Sequence, residues 1–379
     1  MGEWKETYLG EIAEVIDSLH RTPIYSEKGY PMVRVTDIKP GYLNLENTLT
    51  VDESTFIDFS QKRLPRRGDI VFSRVGSYGV SSLVNSDEPF CLGQNTTFIV
   101  AKENPFFLYY FLNTPNAKSQ IDGLVAGSTQ PTISLQSIKE IVVPFPPRSE
   151  QDAIVAILSS LDDKIDLLHR QNKTLEALAE TLFRQWFVED EAEDGWEIGT
   201  VKDFFTLQRG FDLPAQHRTD GKYPIISASG VNGYHHECKV QAPGVTTGRS
   251  GLLGQVYYIM DDFWPLNTSL FIVEYKLAKP LFAYFFLKTL DLEGLNGGSA
   301  VPTLNRNDVH SLETTLPPLE LIDRFESLTL PMFRKIKENR NQIQTLTGLR
   351  DSLLPKLMSG EVRVKDTGEQ HNGIGGKGS

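Results

Sequence analysis

The sequence predicts an α+β protein in which two β-rich domains are separated by two long helices. The helices are expected to pair as an antiparallel coiled coil, with a pseudo-two-fold internal repeat. Three observations carry this reading. Gly127-Ser128-Thr129-Gln130-Pro131-Thr132, followed by an apolar stretch ending at Pro146-Pro147, returns 171 positions later as Gly298-Ser299-Ala300-Val301-Pro302-Thr303, ending at Pro317-Pro318. Both copies run directly into apolar residues at heptad spacing. The segments before them hold short β-branched and aromatic runs bounded by Gly, Pro and Asn. A duplication of this size implies two related surfaces held a set distance apart. The expected limits are residues 1–147 and 191–318 for the domains, 148–190 and 319–362 for the helices, and 363–379 for a flexible tail.

Further anchors align the copies. Trp4 and Trp196 open them, and Tyr30-Pro31 matches Tyr223-Pro224. Arg74-Val75-Gly76 with Gly79 matches Arg249-Ser250-Gly251 with Gly254, and residues 105–114 match 280–289. The offset narrows from 193 through 175 to 171, so the second copy lacks segments, most of them opposite residues 39–67. That extra stretch carries Lys62, Arg63, Arg66 and Arg67. Strands are expected at residues 33–35, 69–72 and 97–100, and a core helix at 106–112.

After Pro147 the period changes. Ile154, Leu158, Leu161, Ile165, Leu168, Asn172, Leu175, Ala179, Leu182 and Trp186 alternate in steps of four and three, the a/d pattern of a coiled coil. A helix over 149–188 would be about 60 Å long at roughly 1.5 Å per residue. The second copy repeats the seam through Phe325, Thr329, Met332, Ile336, Asn339, Ile343, Leu346, Arg350, Leu353 and Leu357, and Pro331 should kink or interrupt its first turns. Asn172 and Asn339 are polar seam residues, which either fix register or are simply tolerated. The first helix delivers the chain to the second domain, so for the seams to meet the second helix must run back. Asp162-Asp163-Lys164 reads as a solvated helix face beside the seam.

Composition narrows the function. A net charge of −11 with no strongly basic segment predicts weak unaided phosphate binding. No apolar run approaches the roughly 20 residues that span a bilayer, and the N-terminus lacks a signal-peptide layout, so no membrane association and a cytoplasmic location are expected. Cys91 and Cys238 fall at non-equivalent positions, which argues against a structural disulfide. His235-His236 beside Cys238 reads as a polar loop, because no four-ligand pattern accompanies it. No phosphate loop, no methyltransferase Asn/Asp-Pro-Pro-aromatic tetrapeptide and no His-Glu-x-x-His helix is present, so no catalytic residue and no metal site are expected.

Two divergent β-rich domains alternating with two heptad helices, each following a Gly-Ser-x-x-Pro-Thr … Pro-Pro element, resemble the specificity subunit of a type I restriction–modification system. The resemblance runs from Trp4 to about Val364. It includes the first helix exit, Leu182-Phe183-Arg184-Gln185-Trp186-Phe187, and the second helix end, Leu353-Leu354-Pro355-Lys356-Leu357-Met358-Ser359-Gly360-Glu361. It implies a non-catalytic subunit whose two target-recognition domains each read half of an asymmetric bipartite site in double-stranded DNA. The helices would set the spacer and dock two adenine methyltransferase subunits. Those partners would carry S-adenosylmethionine, and nuclease–translocase subunits using ATP and Mg would join through the methyltransferase core; this chain itself would bind no cofactor. Two other readings are a recognition subunit of another restriction class and a non-DNA coiled-coil scaffold presenting two protein-binding domains, the latter supported by the acidic charge.

Candidate readers are long polar side chains in loops, able to reach base edges. In the first domain these are His20, Arg21, Arg34, Thr36, Arg74, Ser77, Tyr78, Thr129 and Gln130. In the second they are Arg209, Arg218, Ser227, Ser229, Arg249, Ser250, Asn305 and Arg306. Arg34 and Thr36 lie opposite Ser227 and Ser229, a difference suited to different targets. Arg74 and Arg249 are equivalent, which suits clamping phosphate rather than specifying sequence.

Overall fold

The structure is a computed structural model that describes residues 4–127, 130–189, 195–296 and 302–364. It divides into two compact units, Met1–Asp166 with Gln344–Ser379, and Leu167–Ile343. Each unit therefore holds one β-rich domain and a share of both long helices.

In the first unit, Ala13–Asp17, Thr96–Ala101, Ile70–Ser73 and Ser81–Leu83 form an antiparallel sheet in that order. A second sheet orders Tyr25–Ser26, Leu49–Val51, Tyr30–Val33 and Cys91–Leu92, the last pair parallel. Lys5–Tyr8 pairs with Val142–Phe145, closing the domain just before the first long helix. The extra stretch contributes Leu49–Val51 and a helix, Glu53–Ser60, whose cap Asp52 accepts the Thr55 N–H at 2.7 Å. This helix lays Phe56 flat on Tyr30, with ring centres 4.1 Å apart.

The expected strand at 33–35 is corrected. The strand is Tyr30–Val33, and the chain then turns into a 3-10 turn, Val35–Asp37. The cause is local: the Arg34 backbone N–H and guanidinium both donate to the Asp37 carboxylate at 2.8–2.9 Å, pulling the chain out of the sheet.

The second unit repeats the plan. Phe205–Arg209, Ser269–Tyr275, Gly244–Gly248 and Val256–Ile259 form the antiparallel sheet. Tyr223–Ser227 lies parallel to Trp264–Pro265, as Tyr30–Val33 lies parallel to Cys91–Leu92. Its other neighbour is the hairpin strand Gly230–His235, standing where the first copy uses its insertion. Glu197–Thr200 pairs with Glu313–Leu316 as the closing ribbon.

Each domain buries one apolar helix, Pro105–Leu112 or Pro280–Thr289, starting with proline at the position where a missing N–H costs least. Their caps differ. Asn104 caps its own helix, accepting from Phe107 at 3.1 Å, and donates to Asp152 of the first long helix at 2.8 Å. Lys279 supplies no side-chain cap, so Glu326 of the second long helix accepts the Leu281 and Phe282 N–H groups at 3.0 and 3.3 Å. Burial pushes the Glu326 carboxyl up to about 7 from an ordinary 4.5, against the pull of those donors. A carboxyl with a raised folded pKa holds its proton after the unfolded chain has lost it. Its contribution is therefore largest below about 4.5 and fades as pH climbs to about 7, by at most about 3 kcal/mol. Glu326→Gln keeps an acceptor without the charge. The stability difference between variant and wild type, from urea midpoints, should shift in the variant's favour from pH 4.5 to 7.5; a constant difference would contradict this coupling.

The long helices are Arg148–Arg184, ending in a π-helical turn at Gln185–Glu189, and Leu319–Met358. They run antiparallel within each unit. Ile154 and Leu158 share a core with Leu354, Leu357 and Met358 in the first. In the second, Phe183 and Phe187 share a core with Phe325, Phe333 and Ile336, and Phe187 meets Phe325 edge-on at 5.5 Å. The second helix is not interrupted at Pro331, correcting that expectation. Pro331 and Ser327 are both exposed. Water can therefore satisfy the Ser327 carbonyl that lacks its i+4 donor, while Phe325, Thr329, Phe333 and Ile336 hold the opposite face.

Asp162 is also corrected, from solvated face to anchor, while Asp163 and Lys164 are exposed as expected, Asp163 also bonding the β-rich domain. Asp162 accepts the Tyr110 hydroxyl and Arg350 Nη1, both at 2.8 Å, and Asp163 accepts the Tyr42 hydroxyl at 2.7 Å. In the second unit Glu176 accepts the Tyr284 hydroxyl at 2.6 Å. Near the chain end, Arg363, which the sequence places in the tail, makes two bonds to Glu150 at 2.6 and 2.8 Å and lies 5.2 Å from the centre of the Trp4 ring. Glu150 also accepts the Trp4 indole N–H at 3.0 Å.

Candidate nucleic-acid interface

Two sequence elements recognised separately, Arg-x-Gly and Pro-Thr, meet in both domains. In the first, Arg74-Val75-Gly76 leaves strand Ile70–Ser73; Gly76 N–H donates to Pro131 O at 3.3 Å, and Ile133 N–H to Arg74 O at 3.0 Å. Val75 and Thr132 form an antiparallel bridge. In the second, Gly251 N–H donates to Pro302 O at 3.0 Å, Leu304 N–H to Arg249 O at 2.8 Å, and Ser250 bridges Thr303. Gly76 and Gly251 have φ of 70° and 93°, a left-handed turn that a side chain would strain. The repeated motif is thus a paired-loop scaffold from which variable side chains project.

On that scaffold the first domain's candidate arginines are already engaged. Arg74 is nearly buried, donating to Asp17 Oδ1 at 2.6 Å and to Ile133 O at 3.2 Å, so its guanidinium braces the loops. His20 bonds the other Asp17 oxygen at 2.7 Å. Arg21 pairs with Asp58 at 2.6 Å beneath the Phe59 ring, and Arg34 is closed by Asp37. Thr36, Ser77 and Gln130 are exposed. The Tyr78 phenol is pushed above its usual pKa by its bond to Asp122. Thr129 lies outside the described residues, as do Ser128 and residues 297–301 of the second Gly-Ser element.

The second domain gathers several candidates around one cleft of about 490 Å³. Arg218, Ser227, Ser229 and Ser250 all line it, together with Asp212, Asn232, Asn267 and Thr268, which sequence reasoning missed. Ser227 and Ser229 hydroxyls are 3.0 Å apart, and Ser227 Oγ also donates to Gly230 O. Arg209 stands 3.6 Å from Asp212 at the rim, and Arg249 Nη1 donates to Asn267 O at 3.4 Å. Asn305 and Arg306 sit apart from the cleft lining: Asn305 caps the helix Arg306–His310, and Arg306 is exposed on it. A signal for the missed residues existed. Asn267-Thr268-Ser269 repeats Asn95-Thr96-Thr97, and the carbonyls of Thr268 and Asn95 receive the N–H groups of the equivalent Arg249 and Arg74.

The seam residues divide between the units. Leu158 and Leu168 are buried; Leu161, Ile165, Leu175 and Leu182 are half-buried, as are Ile343, Leu346 and Leu353, and Ile336 is buried. Asn172 and Asn339 find each other. Asn339 is fully buried and its amide donates to Asn172 Oδ1 at 2.9 Å, the pairing that a register-fixing role requires.

Cys91 and Cys238 are free thiols. His235, His236 and Glu237 bring ligand atoms within 4.8 Å of one another. The His235 Nδ1 already receives the Thr219 N–H at 3.2 Å, His236 Nδ1 bonds the Thr219 hydroxyl, and the His235 ring stands edge-on to Trp264. Among the described residues no helix is long and apolar enough to cross a membrane.

A duplicated recognition fold, with a shared loop scaffold and unlike polar surfaces, is the class these features define. The chain belongs to the family of type I restriction–modification DNA specificity proteins: the model of the "Type I restriction modification DNA specificity domain" matches it twice, over residues 1–177 and 193–342. It is 26% identical over 346 residues to the type I restriction enzyme MjaIX specificity subunit of Methanocaldococcus jannaschii, covering 80% of each chain. It is 22% identical over 469 residues to the HindI specificity subunit of Haemophilus influenzae, covering 96% of this chain and 100% of the relative. Its fold matches the crystal structure of a type I restriction–modification S subunit from M. genitalium, with a TM-score of 0.63, 18% identity, and coverage of 94% and 96%.

Proposed function

We propose that this specificity subunit recognises a bipartite DNA sequence, each β-rich domain reading one half and the paired helices fixing the unread spacer between them. One observation supports this most directly. The two domains share sheet order and loop scaffold while differing in the side chains those loops present: carboxylate-bound arginines in the first, an open polar cleft in the second. Equal scaffolds with unequal surfaces suit two unequal half-sites. The base-reading set is the candidate residues placed above, with Arg74 assigned to bracing.

In the same reading two adenine methyltransferase subunits dock on the helices and bring S-adenosylmethionine, and nuclease–translocase subunits using ATP and Mg join through them. The net charge of −11 accords with partners supplying much of the grip on phosphate. The test is to sequence methylated adenines in a host expressing this chain with its methyltransferase. Two unequal specified segments separated by a constant number of unspecified base pairs are expected. A continuous motif, or methylation without sequence preference, would refute the reading.

A further inference from the structure

We propose that the second domain reads a guanine through Arg218, in the cleft it shares with Asp212, Asn232 and Asn267. The inference rests on the half-site reading above and deepens it by naming the base and the residue.

Arg218 follows the 3-10 turn Ala215–His217, and backbone carbonyls hold its guanidinium. Nε donates to Leu213 O at 3.4 Å and Nη1 to Asn232 O at 3.2 Å. These acceptors are neutral, so they orient the planar group without cancelling its charge. The first domain's Arg21, Arg34 and Arg74 are each closed by a carboxylate, and Arg209 shares the rim with Asp212. Arg218 is a pre-oriented cation whose Nη2 donors meet no partner among the described residues.

The surroundings favour a base edge over a phosphate. Leu213, Leu252 and Leu266 form apolar walls, where an anion would lose hydration. The Asp212 carboxylate lines the same cleft with its Oδ1 taken by Arg209 and the Asn267 amide, and its other oxygen could accept from the cytosine amine of a G·C pair, a donor that a phosphate does not offer. The Thr268 hydroxyl, also in the lining, is shielded from solvent with no hydrogen-bond partner among the described residues, and so leaves a polar contact to be made. Guanine presents N7 and O6 side by side in the major groove, two acceptors that match a fork made only of donors. Arg34 and Thr36, opposite Ser227 and Ser229, are placed differently by the Asp37 pair, so the arrangement belongs to the second domain.

The full chain, wild type or Arg218→Gln, is expressed with its methyltransferase partner and methylated adenines are sequenced. The variant should lose selectivity for guanine at one position of one half-site, with discrimination there falling roughly ten- to hundredfold. The spacer and the other half-site should stay unchanged. Arg218→Lys keeps the charge without the fork and should degrade the same position; it decides the matter if the glutamine variant does not fold, as checked by thermal melting. An unchanged motif in either folded variant overturns the inference, and so does a wild-type target with no G·C pair in either half. Uniform loss across all sequences with a shallower salt dependence of duplex binding also overturns it, making Arg218 a phosphate contact. If the wild type itself yields no bipartite motif, the half-site reading fails first and this inference with it.

Discussion

Inserting one heptad into both long helices at matched positions should lengthen the unread spacer by about three base pairs and leave both half-sites unchanged. Seven residues add about 10 Å to a helix, and a turn of DNA of about 34 Å holds about ten base pairs. The insertion must be matched because the helices are keyed to each other. The buried Asn339 amide donates to Asn172, and Arg350 to Asp162. Placing the seven residues between Asp162 and Asn172 in one helix and between Asn339 and Arg350 in the other preserves both pairs. An insertion in the first helix alone cannot keep both pairs, so either the Asn339 amide or the Arg350 guanidinium would lose its partner, at a cost of about 1–3 kcal/mol. The single insertion should therefore lower the unfolding midpoint and blur the motif, where the matched one only changes its spacing. Sequencing methylated adenines for the two constructions separates the outcomes, and an altered half-site in the matched variant would refute the helical pair as the ruler.

Much of this architecture is legible because it depends on periodicity and repetition. Steps of four and three place Leu158 and Leu168 on one face whatever surrounds them, and burial follows. The repeated Arg-x-Gly and Pro-Thr elements likewise show that both domains use the same turns. The sequence is silent on which charges are already spent. Arg74 and Arg249 are equivalent in the repeat, yet Arg74 meets Asp17, a residue 57 positions earlier, while among the described residues Arg249 meets a carbonyl and no carboxylate. That difference is set by tertiary folding, and no local pattern encodes it. Exposure on a helix is similarly underdetermined. Asp162 and Asp163 follow Leu161 as any solvated pair would, until Tyr42 and Tyr110 of the β-rich domain reach them. Pro331 illustrates the converse: the helix runs through it unbroken, because its exposed face lets water take the freed carbonyl.

Removing the Asp162 carboxylate should destabilise the first unit by about 3–4 kcal/mol. Asp162 and Arg350 expose only 14% and 26% of their side chains, so Asp162→Ala leaves a largely buried guanidinium with Asp351, itself 59% exposed, as its remaining carboxylate. The same change strands the Tyr110 hydroxyl, whose phenol is already pushed well above its usual pKa by burial and by Asp162. Asp162→Asn keeps an oxygen acceptor for one donor and should cost less, about 1–2 kcal/mol. The contrast with an apolar replacement separates strength from specificity. Asp162→Leu with Arg350→Met removes both charges at once, and a buried ion pair exchanged for packed apolar groups is often near neutral. If that double variant unfolds in urea near the wild-type midpoint while Asp162→Ala does not, the pair is valuable because of what breaking it exposes. Its remaining role is then orientation, holding the Tyr110 helix of the β-rich domain against the first long helix, and the double variant should recognise DNA with a less sharply defined spacer. A double variant as unstable as Asp162→Ala would instead make the ion pair a net source of stability.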